Sequence, residues 1–230
     1  MKLAVMQPYF FPYFGYWQLI AQANIFVIFD DVNYIKKGYV DRNFIVKDNE
    51  AITLKLQIQK ASQNKRINQL LTGSNKGDLV ETIRHVYRKA PRFEDAYPFI
   101  TELILSEEQN LALYLENTIR AVCKLLRITT QIVRSSDFEL PSVGKNKIIP
   151  LLMETGADTY INPIGGRDLY QESDFLDSGK SLKFFKPDFA SAEVMAAHSL
   201  PHASILHFIL HHTPEELSLL AGKGSLVMGR

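Results

Sequence analysis

Residues able to do acid–base and anion chemistry follow two short apolar segments near the amino terminus. The segments are residues 3–6 and 25–29, and the residues after them are Gln7, Tyr13, Gly15, Tyr16, Asp30, Asp31, Tyr34, Lys36 and Lys37. A carboxylate can accept a proton from a reacting group, and lysines bind phosphate or carboxylate. Glycine lets backbone N–H groups approach an anion closely. These residues predict a binding or catalytic site; the alternative is a hydrophobic plug under a loop, with two solvated aspartates.

A strand–helix–strand unit must position these residues. The apolar segments have the length and composition of buried strands. Between them, Phe14, Trp17 and Ile20 recur at the spacing of one helix face. We therefore predict a βαβ unit, in which ligands bind beyond the carboxyl ends of the parallel strands. Because neighbouring strand residues point to opposite sides, at most one of Asp30 and Asp31 is expected to face a substrate.

The rest of the chain predicts a sheet interrupted by helices. Residues 39–58 form a hairpin pattern around a polar turn at 47–50, and Arg42 and Asn43 at its start extend the basic and polar group. Residues 76–126 have helical periodicity and indicate an insert of three or so helices. Strand patterns return later, at residues 129–134, 158–163 and 181–185. The predicted fold class is α/β, a Rossmann-like, mostly parallel sheet with an antiparallel hairpin and a helical insert, in one domain of residues 1–230.

A glycine-containing turn is expected at the same sheet edge. Asn162, Gly165 and Gly166 follow a strand pattern, so they join Gln7 and Asp30 if the strands are parallel. Two adjacent glycines permit close approach of backbone to a ligand, although a tight turn alone explains them equally well. We treat these three residues as further candidates for substrate or phosphate binding.

Two lysines begin a predicted helix after the strand at 129–134. Lys145 and Lys147 do not follow the preference of helix starts for acidic residues. Beside Ser135 and Ser136, which end that strand, they could hold an anion. Chance placement on an exposed turn is at least as good an interpretation.

Composition limits the classes of protein without choosing one. The 230 residues are 46% hydrophobic and 22% charged, as in an ordinary globular protein, and the net charge of +1 gives no general attraction to nucleic acid. The one cysteine, Cys123, lies in a helical apolar pattern, and a single cysteine excludes an internal disulfide framework. No segment is long enough to span a bilayer, and the amino terminus lacks a signal-peptide pattern. We expect a cytoplasmic protein that neither inserts into a membrane nor binds nucleic acid.

The histidines near the carboxyl terminus raise the question of a metal site. They are His198, His202, His207, His211 and His212. His207 and His211 share a helix face at a spacing that zinc can use. No glutamate follows His207 in the HExxH manner, however. We therefore favour helix-surface and helix-end histidines and predict no metal site.

Four segments together carry a family resemblance. They are Arg42-Asn43, Met6-Gln-Pro-Tyr-Phe-Phe-Pro-Tyr-Phe-Gly-Tyr-Trp-Gln-Leu-Ile, Phe29-Asp-Asp-Val-Asn-Tyr-Ile-Lys-Lys-Gly and Asn162-Pro-Ile-Gly-Gly-Arg-Asp-Leu-Tyr. With them the chain resembles, over nearly its whole length, the WbqC-like family of bacterial polysaccharide-biosynthesis proteins. The resemblance implies a role in O-antigen or related surface-glycan synthesis, and a glycine (aminoacyl) transferase acting on an amino sugar. The chain departs from the expected pattern near His207 and His211, where the family would carry Asp and Asn, and this leaves the substrate open.

The leading hypothesis is an enzyme that transfers an acyl or aminoacyl group to an amino sugar, held as a nucleotide sugar. The cofactor is unknown, with ATP and an activated acyl donor as the candidates. Asp30 or Asp31 would accept the proton of the amine. The cationic side chains of Lys36, Lys37 and Arg42 would bind phosphates. The rings of Tyr13, Tyr16 and Tyr34 would stack on the base or the sugar.

Two other functions remain open. Residues 13–16, Tyr-Phe-Gly-Tyr, lie where HxGH-type nucleotidyltransferases and class I aminoacyl-tRNA synthetases carry their nucleotide signature, although tyrosine replaces both histidines. A nucleotidyltransferase or adenylating enzyme would release pyrophosphate from ATP when glycine is supplied. A non-catalytic partner of a glycan-assembly complex would keep its role after Asp30→Asn or Arg42→Ala. No sequence feature fixes the oligomeric state.

Overall fold

A computed structural model of the chain describes residues 1–140, 144–188, 200 and 202–228. The strands in this part are β1 (Lys2–Met6), β2 (Ile25–Ile28), β3 (Arg42–Lys47), β4 (Glu50–Lys55), β5 (Ile58–Gln59), β6 (Leu71–Thr72), β7 (Gln131–Arg134), β8 (Thr159–Pro163), β9 (Ser181–Lys186) and β10 (Ser225–Met228). The α-helices are α1 (Phe14–Gln22), α2 (Lys76–Tyr87), α3 (Phe93–Leu105), α4 (Leu111–Leu125), α5 (Ile148–Glu154), α6 (Ser173–Leu176), α7 (Ile205–Ile209) and α8 (Pro214–Ala221).

Six strands form the central sheet, in the order β10–β9–β8–β1–β2–β7. All neighbours pair in parallel except β10, which runs antiparallel to β9. From β1 the chain adds β2 and β7 on one side, then returns to add β8 and β9 on the other. The direction of winding therefore changes between β1 and β8, and the crevice at the carboxyl ends there is where doubly wound sheets bind ligands. The predicted Rossmann-like α/β fold class is confirmed.

Helices cover both faces of this sheet, so its inner strands are apolar on both sides. On β1, Ala4 packs into one core, and Leu3 and Val5 pack into the other, as the alternation of strand side chains requires. The first core includes residues of α1 to α4, α7 and α8. The second core includes residues of α5 and α6.

The predicted βαβ unit is present at the amino terminus. β1 and β2 pair in parallel from Leu3 beside Ile25 to Met6 beside Ile28, and α1 connects them. The burial of α1 is wider than one stripe, because Tyr16 is buried as well as the predicted apolar face. This helix is therefore enclosed in the core along nearly its whole length rather than lying on the surface.

The hairpin and the helical insert also form as predicted. β3 and β4 pair antiparallel, and Asp48 and Asn49 at the turn have φ of +50° and +64°. Two-residue hairpin turns use this left-handed conformation, which Asp and Asn tolerate. The insert between β2 and β7 contains the three helices α2, α3 and α4. Residues 60–73 contain the 3₁₀ turn Ile67–Gln69 and β6, which pairs with β5.

The carboxyl-terminal part contains a well-capped helix and an unpredicted strand. Thr213 caps α8, and Thr213 and Glu216 exchange backbone and side-chain hydrogen bonds in a capping box, with Pro214 at the first helical position. β10 follows Gly224, whose φ is +115°, and adds the antiparallel edge of the sheet. Within the described ranges, no helix combines the length and the apolarity needed to cross a membrane.

Candidate functional site

The ends of β2 and β7 bring the paired aspartates against a serine. β2 ends at Ile28, and the Asp30 N–H turns back to donate to the Ile28 carbonyl at 3.0 Å. Strand alternation no longer holds beyond this turn, and both Asp30 and Asp31 accept from the hydroxyl of Ser135. The prediction that the two carboxylates point to opposite sides is therefore wrong, because they converge on one hydroxyl.

Two serines supply the hydrogen bonds to these carboxylates. Asp30 accepts from the Ser136 N–H at 3.0 Å and from the Ser136 hydroxyl at 2.6 Å. Ser135 Oγ lies 2.6 Å from Asp31 Oδ1 and 3.1 Å from Asp30 Oδ1. A hydroxyl has one proton to donate, so Ser135 bonds one carboxylate at a time while facing both.

A buried lysine completes the group. Lys147 Nζ forms an ion pair with Asp31 Oδ2, and the two side chains are 6% and 8% exposed. Lys147 ends the short 3₁₀ turn Gly144–Lys147, which leads into α5. The anion that Lys147 holds is thus the carboxylate of Asp31. We call Asp30, Asp31, Ser135, Ser136 and Lys147 the Asp–Ser–Lys cluster.

The Asp–Ser–Lys cluster has a surplus of negative charge. It contains two carboxylates and one ammonium, close together and largely shielded from water. Coulomb forces are strong in such surroundings, and the Arg134 guanidinium, which interacts electrostatically with Asp30, offsets part of this surplus. Asp30 is 1% exposed and therefore acts on the serines rather than on a ligand. Asp31, with its side chain 8% exposed, is the less buried of the two carboxylates.

Tyr16 and Gly15 serve packing instead of ligand binding. Tyr16 is 1% exposed, its hydroxyl donates to the Gln7 carbonyl at 3.0 Å, and burial raises its pKa well above the usual value. The ring has no accessible face, so the predicted stacking role of Tyr16 is wrong. A Cβ at Gly15 would lie 2.6 Å from the Tyr13 ring and 3.1 Å from Pro187, which explains the glycine without an anion.

Tyr34 and Arg42 belong to a second polar group at the start of β3. The Arg42 guanidinium binds Asp41 through two contacts, Nε to Oδ1 at 2.9 Å and one terminal nitrogen to Oδ2 at 3.3 Å. Asp41 is buried, and Tyr34 interacts electrostatically with both residues. Burial, followed by the charge of Asp41, raises the pKa of Tyr34 to about 12. Tyr34 is 3% exposed, so its predicted stacking role is wrong, and the fork of Arg42 is used on Asp41 rather than presented to a phosphate.

Asn43 holds the loop after β1 in shape. Its side-chain amide donates to the Phe11 carbonyl at 2.7 Å, and the Ser204 hydroxyl donates to the same oxygen at 2.8 Å. Phe11 has φ of +43°, which is rare for a residue other than glycine and indicates local strain. Asn43 is 5% exposed, so its predicted contact with substrate is wrong and its role is to pin this loop.

The Asn162 side chain forms internal hydrogen bonds within the diglycine turn. Its amide donates to the Gly166 carbonyl at 2.9 Å and to the Pro163 carbonyl at 3.3 Å, and its Oδ1 accepts from the Tyr160 hydroxyl at 3.0 Å. A Cβ at Gly166 would lie 2.5 Å from Asn162 Nδ2. The predicted substrate contacts of Asn162 and Gly166 are therefore replaced by a turn that closes on itself.

The remaining predicted residues are at least partly exposed. Gln7 and Tyr13 are partly exposed, and Gly165, Lys36 and Lys37 are exposed. The loops that hold them follow β1, β2 and β8, which are neighbouring parallel strands, so they share one edge of the sheet as expected. A single pocket that joins all three loops stays a prediction.

His202, His207 and His211 pack against aromatic rings. His207 is 5% exposed, and its Nδ1 lies 2.8 Å from the Tyr87 hydroxyl, so the prediction of a helix-surface position is wrong for this residue. The Tyr87 oxygen accepts from the Val46 N–H at 3.0 Å, which leaves its proton for His207. His198 lies outside the described residues. In the part of the chain that the structure covers, no group of three or more His, Cys, Asp or Glu side chains is arranged to hold a metal ion.

These observations define the chain as a Rossmann-like α/β protein with a buried carboxylate–serine–lysine group at the carboxyl edge of its sheet. The chain belongs to the WbqC-like protein family, whose model matches residues 7–219, and the predicted resemblance is confirmed. Membership suggests a role in polysaccharide biosynthesis. The chain is similar to the uncharacterized protein Rv1507c of Mycobacterium tuberculosis (strain ATCC 25618 / H37Rv), with 26% identity over 191 residues, 81% of this chain and 83% of that protein. No solved structure matches it significantly.

Proposed function

We propose that this protein is an enzyme of surface-polysaccharide biosynthesis, of the O-antigen type, that transfers an acyl or aminoacyl group to an amino sugar. The group is a glycyl group in the simplest form of the proposal, and the amino sugar is carried as a nucleotide sugar. The observation that supports the proposal is the Asp–Ser–Lys cluster, a carboxylate-rich group at the carboxyl edge of the sheet of a WbqC-like protein.

The chemistry needs a group that binds an amine and then removes its proton. A neutral amine attacks the acyl carbonyl, the new N–C bond forms, and the bond to the leaving group breaks, with one proton lost from nitrogen. Asp31 would attract the sugar ammonium and accept this proton, while Lys147 and Ser135 hold its carboxylate in place. Lys36 and Lys37, exposed at the same edge, would bind the phosphates of the nucleotide sugar.

The burial of Tyr16 weighs against the nucleotidyltransferase alternative. In that reading, residues 13 and 16 would replace two histidines that face the phosphates. Tyr16 is instead enclosed in the core and donates its hydroxyl to the Gln7 carbonyl. Acyl transfer needs no phosphate contact from this position.

The proposal is tested by mass spectrometry of nucleotide-activated amino sugars incubated with the purified protein. Each sugar is supplied with glycine and ATP, or with an activated acyl donor, and the product is a mass gain on the amine. Asp31→Asn is expected to lower the rate by about 10²–10⁴-fold, the usual contribution of a positioned general base. Asp158→Asn, at an exposed carboxylate that precedes β8 at the opposite edge, is the matched control and should keep the rate.

Two outcomes would overturn the proposal. One is a full panel of sugars and donors that yields no product. The other is a product whose rate of formation is equal in Asp31→Asn and Asp158→Asn. Pyrophosphate release from ATP and glycine without transfer to any sugar would instead favour an adenylating enzyme.

A further inference from the structure

Two loops beside the carboxyl end of β2 are paired with each other. One follows β2, at residues 32–40, and the other separates β5 from β6. The Tyr34 N–H donates to the Lys65 carbonyl at 2.9 Å, and the Ile67 N–H donates to the Val32 carbonyl at 3.0 Å. Tyr34 and Ile67 are buried, so the core anchors both loops and they form one surface.

Each of the two loops contains a tight turn. A backbone hydrogen bond of 3.1 Å closes residues 35–38, which places Lys36 and Lys37 at the centre of the first turn. A bond of 3.2 Å closes residues 62–65 in the second. Lys37 has φ of +66°, a conformation that glycine adopts more easily, so the first turn presents a lysine at the expense of local strain.

The paired loops carry five cations and no acidic residue. Residues 32–40 and 60–70 hold five of the 26 Lys and Arg residues of the chain and none of its 25 Asp and Glu residues. All five cations are exposed, and in the part of the chain that the structure describes none of them forms an ion pair. We call them the basic patch, which consists of Lys36, Lys37, Lys60, Lys65 and Arg66.

Exposed apolar side chains flank the turn at residues 35–38. Ile35 is 51% exposed and Tyr39 is 56% exposed. The Tyr39 ring lies against the Tyr9 ring, with 5.9 Å between the centroids, so the loop after β1 supports it. Lysines beside an exposed aliphatic and an exposed tyrosine side chain are typical of surfaces that bind the interface of a bilayer.

We propose that the basic patch docks the protein on an anionic membrane surface. The cations would be attracted by the lipid headgroups, and Ile35 and Tyr39 would enter the boundary between headgroups and acyl chains. Five cations on two loops exceed what the phosphates of one nucleotide sugar need, so they fit an extended anionic surface better. A nucleic acid would also attract the cations, but only a bilayer offers an apolar layer for Ile35.

Docking would hold the Asp–Ser–Lys cluster near the membrane. The loop that carries Lys36 and Lys37 begins directly after Asp31, so the basic patch and the cluster are neighbours. The net charge of the whole chain is only +1, so the attraction depends on this local excess of positive charge. The proposal does not depend on the reaction that the protein catalyses.

The test is co-sedimentation of the full chain with lipid vesicles. One set of vesicles is phosphatidylcholine alone, and the other contains phosphatidylglycerol as well. Binding is expected with the anionic vesicles and not with the neutral ones. Raising NaCl to about 1 M, where the Debye length is about 3 Å, should release most of the protein.

A triple variant tests the basic patch without touching Lys36 and Lys37. Replacing Lys60, Lys65 and Arg66 by glutamine should weaken binding about a hundredfold, because each basic residue near an anionic surface contributes about fivefold. The matched control removes three exposed cations elsewhere and should change binding only a few-fold. It consists of Lys89→Gln, Lys124→Gln and Lys223→Gln.

A tryptophan reporter tests whether this face meets the lipid. Ile35→Trp should shift its fluorescence to the blue when anionic vesicles are added. Leu219→Trp, at a position 75% exposed on α8, is the control and should not shift. The natural Trp17 is fully buried and contributes a constant signal.

Four outcomes would overturn the proposal. They are equal binding to neutral and anionic vesicles, no binding to either, equal weakening in the two triple variants, and an Ile35→Trp signal that stays unshifted in the bound protein. Binding of a single-stranded oligonucleotide through the basic patch, in place of vesicles, would identify a nucleic-acid surface instead. Vesicle binding is measured without donor or acceptor, so its result stands whether or not acyl transfer is found.

Discussion

Replacing Lys147 by methionine removes one partner of the ion pair with Asp31 and keeps the volume of the side chain. The two side chains are 6% and 8% exposed in the folded protein. The variant would therefore leave the Asp31 carboxylate next to Asp30 with no neighbouring ammonium. Ser135 cannot compensate, because its single proton already serves both carboxylates in turn.

The loss of stability in Lys147→Met has two sources of magnitude, the stranded charge and the lost attraction. Removing one partner of a buried ion pair costs about 3–5 kcal/mol, because an uncompensated charge remains in the interior. Two unit charges about 4 Å apart attract by roughly 4 kcal/mol at an effective dielectric constant of about 20. We therefore expect Lys147→Met to lower the free energy of unfolding by about 4 kcal/mol. Adding Asp31→Asn removes the stranded charge and should restore most of this loss.

Urea denaturation followed by circular dichroism measures the effect. A loss of about 4 kcal/mol moves the midpoint down by at least about 1 M at a slope near 3 kcal/mol per M. Arg127→Met is the control, because it breaks an ion pair with Glu215 in which the side chains are 64% and 60% exposed. That loss should stay below about 1 kcal/mol. If Lys147→Met costs no more than Arg127→Met, the Asp–Ser–Lys cluster is open to water and its assignment as a charged buried site fails.

Three further variants test other parts of the structure. The pKa of Tyr34 is raised to about 12, so its neutral hydroxyl stabilises the folded state below pH 10, and this stabilisation is lost as the pH rises from 10 to 12. Tyr34→Phe should therefore lose less stability than the wild type over this range. Unfolding midpoints measured between pH 10 and 12 test this. Gly166→Ala should lower the melting temperature, since its Cβ would lie 2.5 Å from Asn162 Nδ2. Thr213→Ala should cost about 1 kcal/mol in urea denaturation, because the capping box with Glu216 is lost.

Each of these variants has a clear opposing result. An unchanged alkaline profile in Tyr34→Phe would show that this hydroxyl is solvated, and Tyr39→Phe, at a tyrosine 56% exposed, is its control. Gly165→Ala has open space around its Cβ and should be harmless, so equal effects at Gly165 and Gly166 would contradict the packing of the turn. A Thr213→Ala variant as stable as the wild type would contradict the cap.

The predictable parts of the fold depend on local pattern. The parallel pair of β1 and β2, the hairpin turn at Asp48 and Asn49, and the insert of α2 to α4 each follow from apolar spacing and turn chemistry within a few residues. β10 was not predicted, because residues 225–228 provide too few positions for a periodic signal. Its antiparallel pairing with β9 is set by tertiary packing.

The predicted site was less accurate, since burial is decided by contacts that are distant in sequence. Tyr16 and Tyr34 have the residue type of a stacking platform, but the core encloses both. The partner of Asp31 is 116 residues away in Lys147, and no local pattern joins them. The convergence of the two aspartates could not be predicted from the alternation of strand side chains, because β2 ends at Ile28, two residues before Asp30.

One wrongly assigned residue, Asn43, has a structural role that bears on the function. The carbonyl of Phe11 accepts from the Asn43 amide and the Ser204 hydroxyl, which come from β3 and from the cap of α7. Two hydrogen bonds from distant elements are what a left-handed, non-glycine backbone needs in order to persist. The strained loop begins at the carboxyl end of β1, beside the point where the sheet reverses its winding. Its rigidity would therefore hold Gln7 and Tyr13 in fixed positions at the edge where the Asp–Ser–Lys cluster lies, so Asn43→Ala should impair ligand binding through the loop rather than through a lost contact.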